Sequence, residues 1–444
     1  MEPRDWTPKT IRECLQEEFP GEWGTNPASG AANAIVLRST DIDDEGHVDL
    51  ATGAPRVIPL AKLVAKRLRQ GDLLLETSGG GPDRPVGRVA LFRGDAPGDY
   101  LCSNFFRTLR PLQSEVDPSF LRWRLKFLYG RPDIQRFQQQ TTGIINLKMQ
   151  DYFGYVLRLP GPIEQRGIAE VLDTIDRAIL ATDQLIAKLQ QMKQGLLTEL
   201  LCLGVDGNGD LRNRERHPEE FRDSELGLIP KSWEVKAVES LLAEVTPAMR
   251  SGPFGSALLK SELVDYGVPL LGIDNVHVER FESVYSRFVT PTKFRELSRY
   301  RVFPKDVMIT IMGTVGRCCV VPDGIGDALS SKHVWTLTFD QSRYSPLLAC
   351  LQFNYAPWCI GHFRRDEQGG IMSAIRSDTL RTALLPVPPR DEAAAIEQVC
   401  SASSRNVLDE ETLLAKLRFL RSGLAEDLLS GRIRVTSLLE GDAA

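Results

Sequence analysis

Two runs of cationic residues stand out in this 444-residue chain: Arg107, Arg110, Arg122, Arg124, Lys126, Arg131 and Arg136, then Arg287, Lys293, Arg295, Arg299, Arg301 and Lys305. Guanidinium and ammonium groups at that density suit phosphate contacts, or they cover a solvated face. Catalytic groupings are scarcer. There is no Walker A run, no H-E-x-x-H and no G-x-S-x-G. "NYAPW" (Asn354–Trp358) comes nearest to an Asn-Pro-Pro-Phe segment, and Tyr355-Ala356 breaks the required dipeptide. The glycines of "SGGG" at Ser78–Gly81 lack the following Gly-Lys-Ser/Thr of a phosphate loop and read as loop flexibility. His47, His217, His277, His333 and His362 are far apart in sequence. The eight cysteines (Cys14, Cys102, Cys202, Cys318, Cys319, Cys350, Cys359, Cys400) form no C-x-x-C pair and have no histidine at ligand spacing, so they predict reduced, mostly buried thiols and no metal site.

The elements that would position any such groups follow from composition and repeats. With 42% hydrophobic and 25% charged residues, the chain is of ordinary globular make-up. No apolar run is long enough to span a membrane and no signal-peptide core is visible, which predicts a cytoplasmic protein. Net charge is −5, against the basic footprint of a nucleic-acid binder. Its distribution softens that objection: Lys+Arg against Asp+Glu is 21 to 20 over residues 1–160 and 17 to 16 over 232–389, but 9 to 13 over 161–231 and 7 to 10 over 390–444.

Self-similarity decides the architecture. "KQGLLTELL" (Lys193–Leu201) recurs as "RSGLAEDLL" (Arg421–Leu429), with Gly195 and Gly423 228 positions apart. Residues 141–165 parallel 368–392, with Gly143 on Gly370, Asp151 on Asp378 and Pro162 on Pro389. "GDLLLE" (Gly71–Glu76) parallels "KDVMIT" (Lys305–Thr310), "PVGR" parallels "TVGR", and "AIVLRSTDID" (Ala34–Asp43) can be laid on "VPLLGIDNVH" (Val268–His277). Each half is thus a domain followed by a long helix. Apolar residues at steps of three and four mark both helices: Ile168, Val171, Ile175, Ile179, Ile186, Leu189, Met192, Leu196 and Leu200, then Ile396, Val399, Val407, Leu414, Leu417, Leu420, Leu424 and Leu428. Pro160 and Pro162, then Pro386, Pro388 and Pro389, set the starts; Gly204 and Gly431 set the stops. Helices of about 40 residues reach about 60 Å, which predicts that they bury their stripes against each other as an antiparallel coiled coil. Short glycine-punctuated runs such as "DLLLET", "VGRVALF", "DVMITI", "GRCCVVP" and "HVWTLTF" predict strands, while Pro118–Tyr129 and Ser345–Pro357 predict helices. The expected fold class is α+β: two pseudo-repeated domains at 1–160 and 232–389, spacer helices at 161–204 and 390–432, an exposed linker at 205–231 and a tail at 433–444, related by a pseudo-two-fold.

In this order, the duplicated "GLLTELL" and "GLAEDLL" ends, the helix start at Pro162–Ala169 and the inter-repeat "FRDSELGLIPKSWEV" (Phe221–Val235) carry a resemblance over nearly the whole chain. So do the opening "GEWGTNPASG" and the "GDLLLETSGGGPDRPVGR" run. The sequence resembles the DNA-specificity subunit of type I restriction-modification systems. That resemblance implies two target recognition domains, each for one half of a split duplex target. The helices would fix the distance between halves and dock two adenine methyltransferase subunits, with a motor-nuclease subunit added for restriction. It implies no catalysis and no cofactor on this chain: S-adenosylmethionine belongs to the methyltransferase and ATP to the restriction subunit. In one departure, the second helix begins "RDEAAAIEQ" (Arg390–Gln398), with Asp391-Glu392 where the family has Glu-Gln. The loop from Asp72 to Arg88 is also longer than that from Asp306 to Arg317, so the two domains should read different sequences.

Base edges are read by polar side chains, whereas phosphate contacts only position the protein. The candidates lie on glycine-rich loops, where backbone can approach DNA closely. They are Arg38, Ser78, Arg84, Arg88 and Asn146 in the first domain, and Asn275, His277, Thr314, Arg317, Lys332, His333 and Arg376 in the second. Arg88 and Arg317 occupy equivalent places, and arginine suits guanine or a phosphate. For each, a surface ion pair or a turn hydrogen bond is the competing account. For the whole chain, the competitors are a protein–protein scaffold and a DNA-modifying enzyme with an unrecognised site.

Overall fold

The computed structural model describes residues 5–27, 31–81, 84–141, 143–367 and 375–435. Gly370 and most of the expected tail lie outside them. Helix and sheet are mixed throughout, and the chain divides into two compact units, Met1–Gln184 with Thr412–Ala444 and Leu185–Glu411. The division falls inside both long helices, Pro162–Leu203 and Arg390–Leu429.

In the first unit, a four-stranded antiparallel sheet has the spatial order Leu15–Pro20, Phe106–Pro111, Leu73–Glu76, Val89–Leu91. Beside it, Ala34–Leu37 pairs antiparallel with Ala54–Arg56 and parallel with Tyr100–Cys102. Helix Pro118–Tyr129 starts on proline, with the Asp117 carboxylate accepting from the Phe120 amide, and buries Phe120, Leu121, Trp123 and Leu125. These join Trp6, Leu73, Leu75 and Leu109 in one core.

The second unit has the order Met249–Ser251, Val334–Leu337, Val307–Thr310, Cys318–Val320 in its four-stranded sheet. Val268–Leu271 pairs antiparallel with Phe288–Val289 and parallel with Leu329–Ser330. Helix Pro346–Tyr355 is again capped by the preceding side chain, Ser345, and a further helix, Pro357–Glu367, continues past the expected end. At Gly71 the backbone has φ 91°; the matching residue is Lys305 at φ 66°, a conformation costing a non-glycine residue roughly 1–2 kcal/mol. The connector is less exposed than its composition suggests. Strands Phe221–Ser224 and Gly227–Pro230 form a hairpin, and Phe221, Ile229 and Trp233 are buried.

The long helices end where glycine permits, at Gly204 (φ 67°) and Gly431 (φ 72°). In the first unit they run antiparallel: Arg421 Nη1 is 2.9 Å from Asp176 and Arg418 Nη2 is 3.4 Å from Asp183. In the second unit Gln190 donates to Glu411 at 3.2 Å, and Leu197, Leu200 and Leu201 share a core with Ile396 and Cys400. Of the stripe, Ile168, Ile179, Ile186, Leu200, Ile396, Val407, Leu414 and Leu428 are buried, and Ile175, Leu189, Leu196, Leu417 and Leu424 are half-buried. Met192, Val399 and Leu420 are exposed instead, while Leu172, Leu197, Leu201 and Cys400 are buried. The helix ends turn this second set into the domain cores, which a single stripe does not anticipate. A Cβ on Gly195 or Gly423 would meet nothing within 4 Å, so neither glycine is there to relieve packing inside this chain.

Each unit also ties a loop to these helices through an ion pair at matching positions. Glu45 meets Arg421 at 2.7 Å, and Glu279 meets Lys193 at 2.6 Å. The two cations each stand two residues before a duplicated glycine. Around the first pair, His47 bridges Asp43 (2.9 Å) and Asp176 (3.0 Å), Arg122 reaches Asp176 at 2.9 Å and Lys126 reaches Glu45 at 2.7 Å. Around the second, the Tyr355 hydroxyl donates to Glu279, as does Ser404 at 2.7 Å.

Candidate nucleic-acid interface

The first basic run is not an open cationic face. Arg107 pairs with Glu18, Arg110 with Asp72 and Glu17, Arg122 with Asp176, Lys126 with Glu45, and Arg131 with Glu426. The second is also paired, though nearer the surface: Arg287 with Asp274, Lys293 with Glu262, Arg301 with Asp327 and Lys305 with Asp323.

The candidate readers separate by burial. Arg88 is 3% exposed; its guanidinium meets Glu76 at 2.8 and 2.9 Å and donates to the Ile42 carbonyl at 2.9 Å. It is a core ion pair, and its expected equivalence with Arg317 fails for a clear reason: Glu76 is replaced by Thr310. That hydroxyl accepts from the Arg317 amide at 3.0 Å and donates to the Thr314 carbonyl, leaving the Arg317 side chain without the carboxylate that buries Arg88. Arg317 is half-buried and lines a cavity of about 890 Å³ with His277, Glu279, Arg280 and Tyr355. Asn275 is likewise structural, 1% exposed: its Oδ1 accepts from the Gly272 amide at 2.9 Å and its Nδ2 donates to the carbonyls of Glu282 and Val284. In the first unit Asp41 does the same work, accepting from the Arg38 amide at 2.7 Å and from its guanidinium at 2.8 and 3.0 Å.

The other candidates lie at or near the surface. Ser78 and Asn146 are cross-strand partners, both half-buried. Arg84 is exposed and pairs with Asp44 at 2.9 Å. Thr314 is half-buried, Lys332 is exposed, and Arg376 is exposed at the start of helix Ser377–Thr382. His333 is half-buried; partial burial, then the charges of Lys332 and Arg287, push its pKa below the usual histidine value.

The structure brings forward residues that the sequence reading passed over. After the parallel strand of each unit comes a turn: Ser103, Asn104 and Phe105 in the first, Ser331, Lys332 and His333 in the second. The Ser103 amide donates to the Leu37 carbonyl at 2.9 Å, and the Ser331 amide to the Leu271 carbonyl at 2.8 Å. Backbone presses on both turns. A Cβ on Gly21 would lie 2.0 Å from the Ser103 oxygen, and one on Gly252 2.1 Å from the Ser330 oxygen. In the first unit Ser103, Asn104 and Phe105 line a cavity of about 420 Å³ with Trp23, Arg38, Ser39 and Thr40. In the second, Gly272 stands where Arg38 would be, and its missing Cβ leaves room for the Arg287 guanidinium. The signal for Asn104 and Phe105 was present in the sequence. Lys332 and His333 are candidates by type, and Asn104 and Phe105 stand 228 positions earlier at the equivalent place.

Among the described residues, no helix is long and apolar enough to cross a membrane and no cluster of His, Cys, Asp and Glu is arranged to hold a metal ion. All eight cysteines are free, with Cys202 half-buried and the rest buried.

No family model matches the sequence. The chain is 21% identical over 436 residues to the putative type I restriction enzyme MjaX specificity subunit of Methanocaldococcus jannaschii, covering 98% of this chain and 95% of that protein. It is 21% identical over 331 residues to the MjaVIII specificity subunit of the same organism, covering 73% and 72%. In fold it is similar to the type I restriction-modification S subunit of M. genitalium, with a TM-score of 0.60 at 15% identity over 96% of each chain. A second similarity is to a chain from a structural study of the assembly and conformational transition of the type I R-M system, with a TM-score of 0.52 at 14% identity, over 98% of this chain and 100% of that one. In sequence over nearly its whole length, and in fold, this chain is a relative of the specificity subunits of type I restriction enzymes.

Proposed function

We propose that this chain is the non-catalytic DNA-specificity subunit of a type I restriction-modification system. It reads a bipartite duplex target and directs adenine methyltransferase and motor-nuclease subunits to it. The observation that carries this is the near full-length similarity to specificity subunits; the strand order shared by the two units supports it. Residues 1–160 and 232–389 then act as two recognition domains related by a pseudo-two-fold, joined by the linker 205–231. The helices at 161–204 and 390–432 form an antiparallel coiled-coil spacer ahead of a tail at 433–444, and two methyltransferase subunits dock on them. S-adenosylmethionine and ATP are used by the partners. Half-sites about one helical turn apart, roughly 34 Å, suit two readers on one face of a duplex.

Sequencing N6-methyladenine in cells that carry the complete system tests this reading. A single bipartite motif is expected, and its absence from well-methylated DNA would refute it. Inserting one helical turn, about 5.4 Å, into both spacer helices should change the gap and leave both half-sites alone. An unchanged gap would remove the spacer role while leaving the DNA-reading role intact.

A further inference from the structure

We infer that the two equivalent turns, Asn104–Phe105 and Lys332–His333, are the base-reading elements of the two domains, each beside its own arginine, Arg38 or Arg287, and that they select different base pairs. This rests on the DNA-reading function proposed above and assigns its specificity to particular side chains.

The two turns share one backbone construction. Each follows the strand parallel to its neighbour, each is held by a backbone amide that donates a hydrogen bond to a leucine carbonyl (Leu37 or Leu271), and each is packed against a glycine that has no room for a Cβ. That construction fixes the turn, so its side chains are free to vary in type. The first turn projects Phe105, 46% exposed, whose ring is backed by Gly79, where a Cβ would come within 3.2 Å. Asn104 and Arg38 line the same cavity, and Trp23 closes it with the Arg56 guanidinium stacked 3.9 Å from its ring. The Ser103 hydroxyl at the cavity wall is buried at 3% exposure and has no hydrogen-bond partner among the described residues. Ser331 at the matching place in the second unit is in the same condition. A buried hydroxyl without a partner is costly, and its recurrence at the same place in both units is one more feature that the two turns share.

The chemistry differs between the turns. An asparagine amide donates to and accepts from adenine N6/N7, and an apolar ring contacts the thymine methyl, so the first turn suits an A·T pair. The Lys332 ammonium donates to guanine O6/N7, so the second suits G·C. Burial and the charges of Lys332 and Arg287 lower the pKa of His333, which favours the neutral imidazole, with one donor and one acceptor.

The test is the methylation motif written in cells carrying the full chain and its partner subunits. N104A and F105L should each relax preference about 10-fold at an A·T position of one half-site, since a good base contact is worth roughly 1–3 kcal/mol. K332A should relax a G·C position of the other half-site, and N104K should move the first half toward G·C. The gap should stay constant in all four variants. Thermal melting of each purified chain separates loss of fold from loss of reading, and N104Q replaces N104A if the latter melts early. Variants that melt like the parent and write the parent motif overturn the inference, as do variants that degrade both halves together. A parent that writes no bipartite motif refutes the proposed function itself, a different outcome from an unchanged one.

Discussion

Arg88 and Arg317 end the same three-residue sequence, Val-Gly-Arg, yet one is buried and the other lines a cavity. The deciding residue is across the sheet: Glu76 in the first unit, Thr310 in the second. Removing one partner of a buried ion pair leaves an uncompensated charge, so R88A should lower unfolding free energy by about 3–5 kcal/mol, measured by chemical denaturation. Equal stability of R88A and the parent would contradict the buried-pair assignment. His47 offers a pH test. The Asp176 and Asp43 carboxylates raise its pKa from 6.5 to about 9 against the opposing effect of burial. Because the folded value is the higher one, the stabilisation is complete below pH 6.5 and is lost as pH rises through about 9. Its size is on the order of 3 kcal/mol. Glu45 has the opposite sign: burial opposes, but Arg421 and Lys126 hold its pKa down to about 2, so its contribution is lost as pH falls below 4.5 toward 2. Melting temperature should therefore decline on both sides of the interval between pH 4.5 and 6.5, and H47Q should flatten the alkaline limb only. A single residue's type is legible in the sequence, but its mate is not, which is why the sequence alone offers Arg88 and Asn275 as readers.

At the level of helices and strands, period and punctuation were legible because they follow from local chemistry. The predicted runs "DLLLET" and "DVMITI" contain the observed strands Leu73–Glu76 and Val307–Thr310, and the helix at Pro118–Tyr129 lies where its pattern puts it. The direction of each buried face was less legible, because Leu197 and Leu201 answer to a domain core that the helix's own sequence does not contain. The ion pairs that fasten loops to helices belong to this scale. K193E and E279K should each destabilise the second unit by about 1–3 kcal/mol, since each leaves a half-buried like-charge contact, and the double exchange should recover most of the loss. Denaturation of the four chains closes the cycle; additive losses would mean that Lys193 and Glu279 are not coupled.

For the molecule as a whole, the duplication could be read from sequence because both copies keep their apolar strands and some of their glycines, among them those of the Gly-Leu-x-x-x-Leu-Leu helix ends. What each domain binds was less legible: the turn residues that differ, Asn104–Phe105 against Lys332–His333, are the ones a search for repeats discards. One further feature reaches across the whole chain. Arg434 lies 2.8 Å from Asp5 and grips Glu164 at the start of the first long helix at 2.5 and 2.7 Å, while Val435 joins the first unit's core. Residues 429 positions apart in sequence are thus joined by an ion pair. A short peptide joining them, with new ends opened at the exposed Gly207–Asn208 turn, should give a circular permutant that folds and melts as the parent does. Failure of that permutant to fold would mean that the segments around Asp5 and Arg434 contribute more to the first unit than this ion pair. Success would mean that the fold does not depend on the order in which the two units follow one another along the chain.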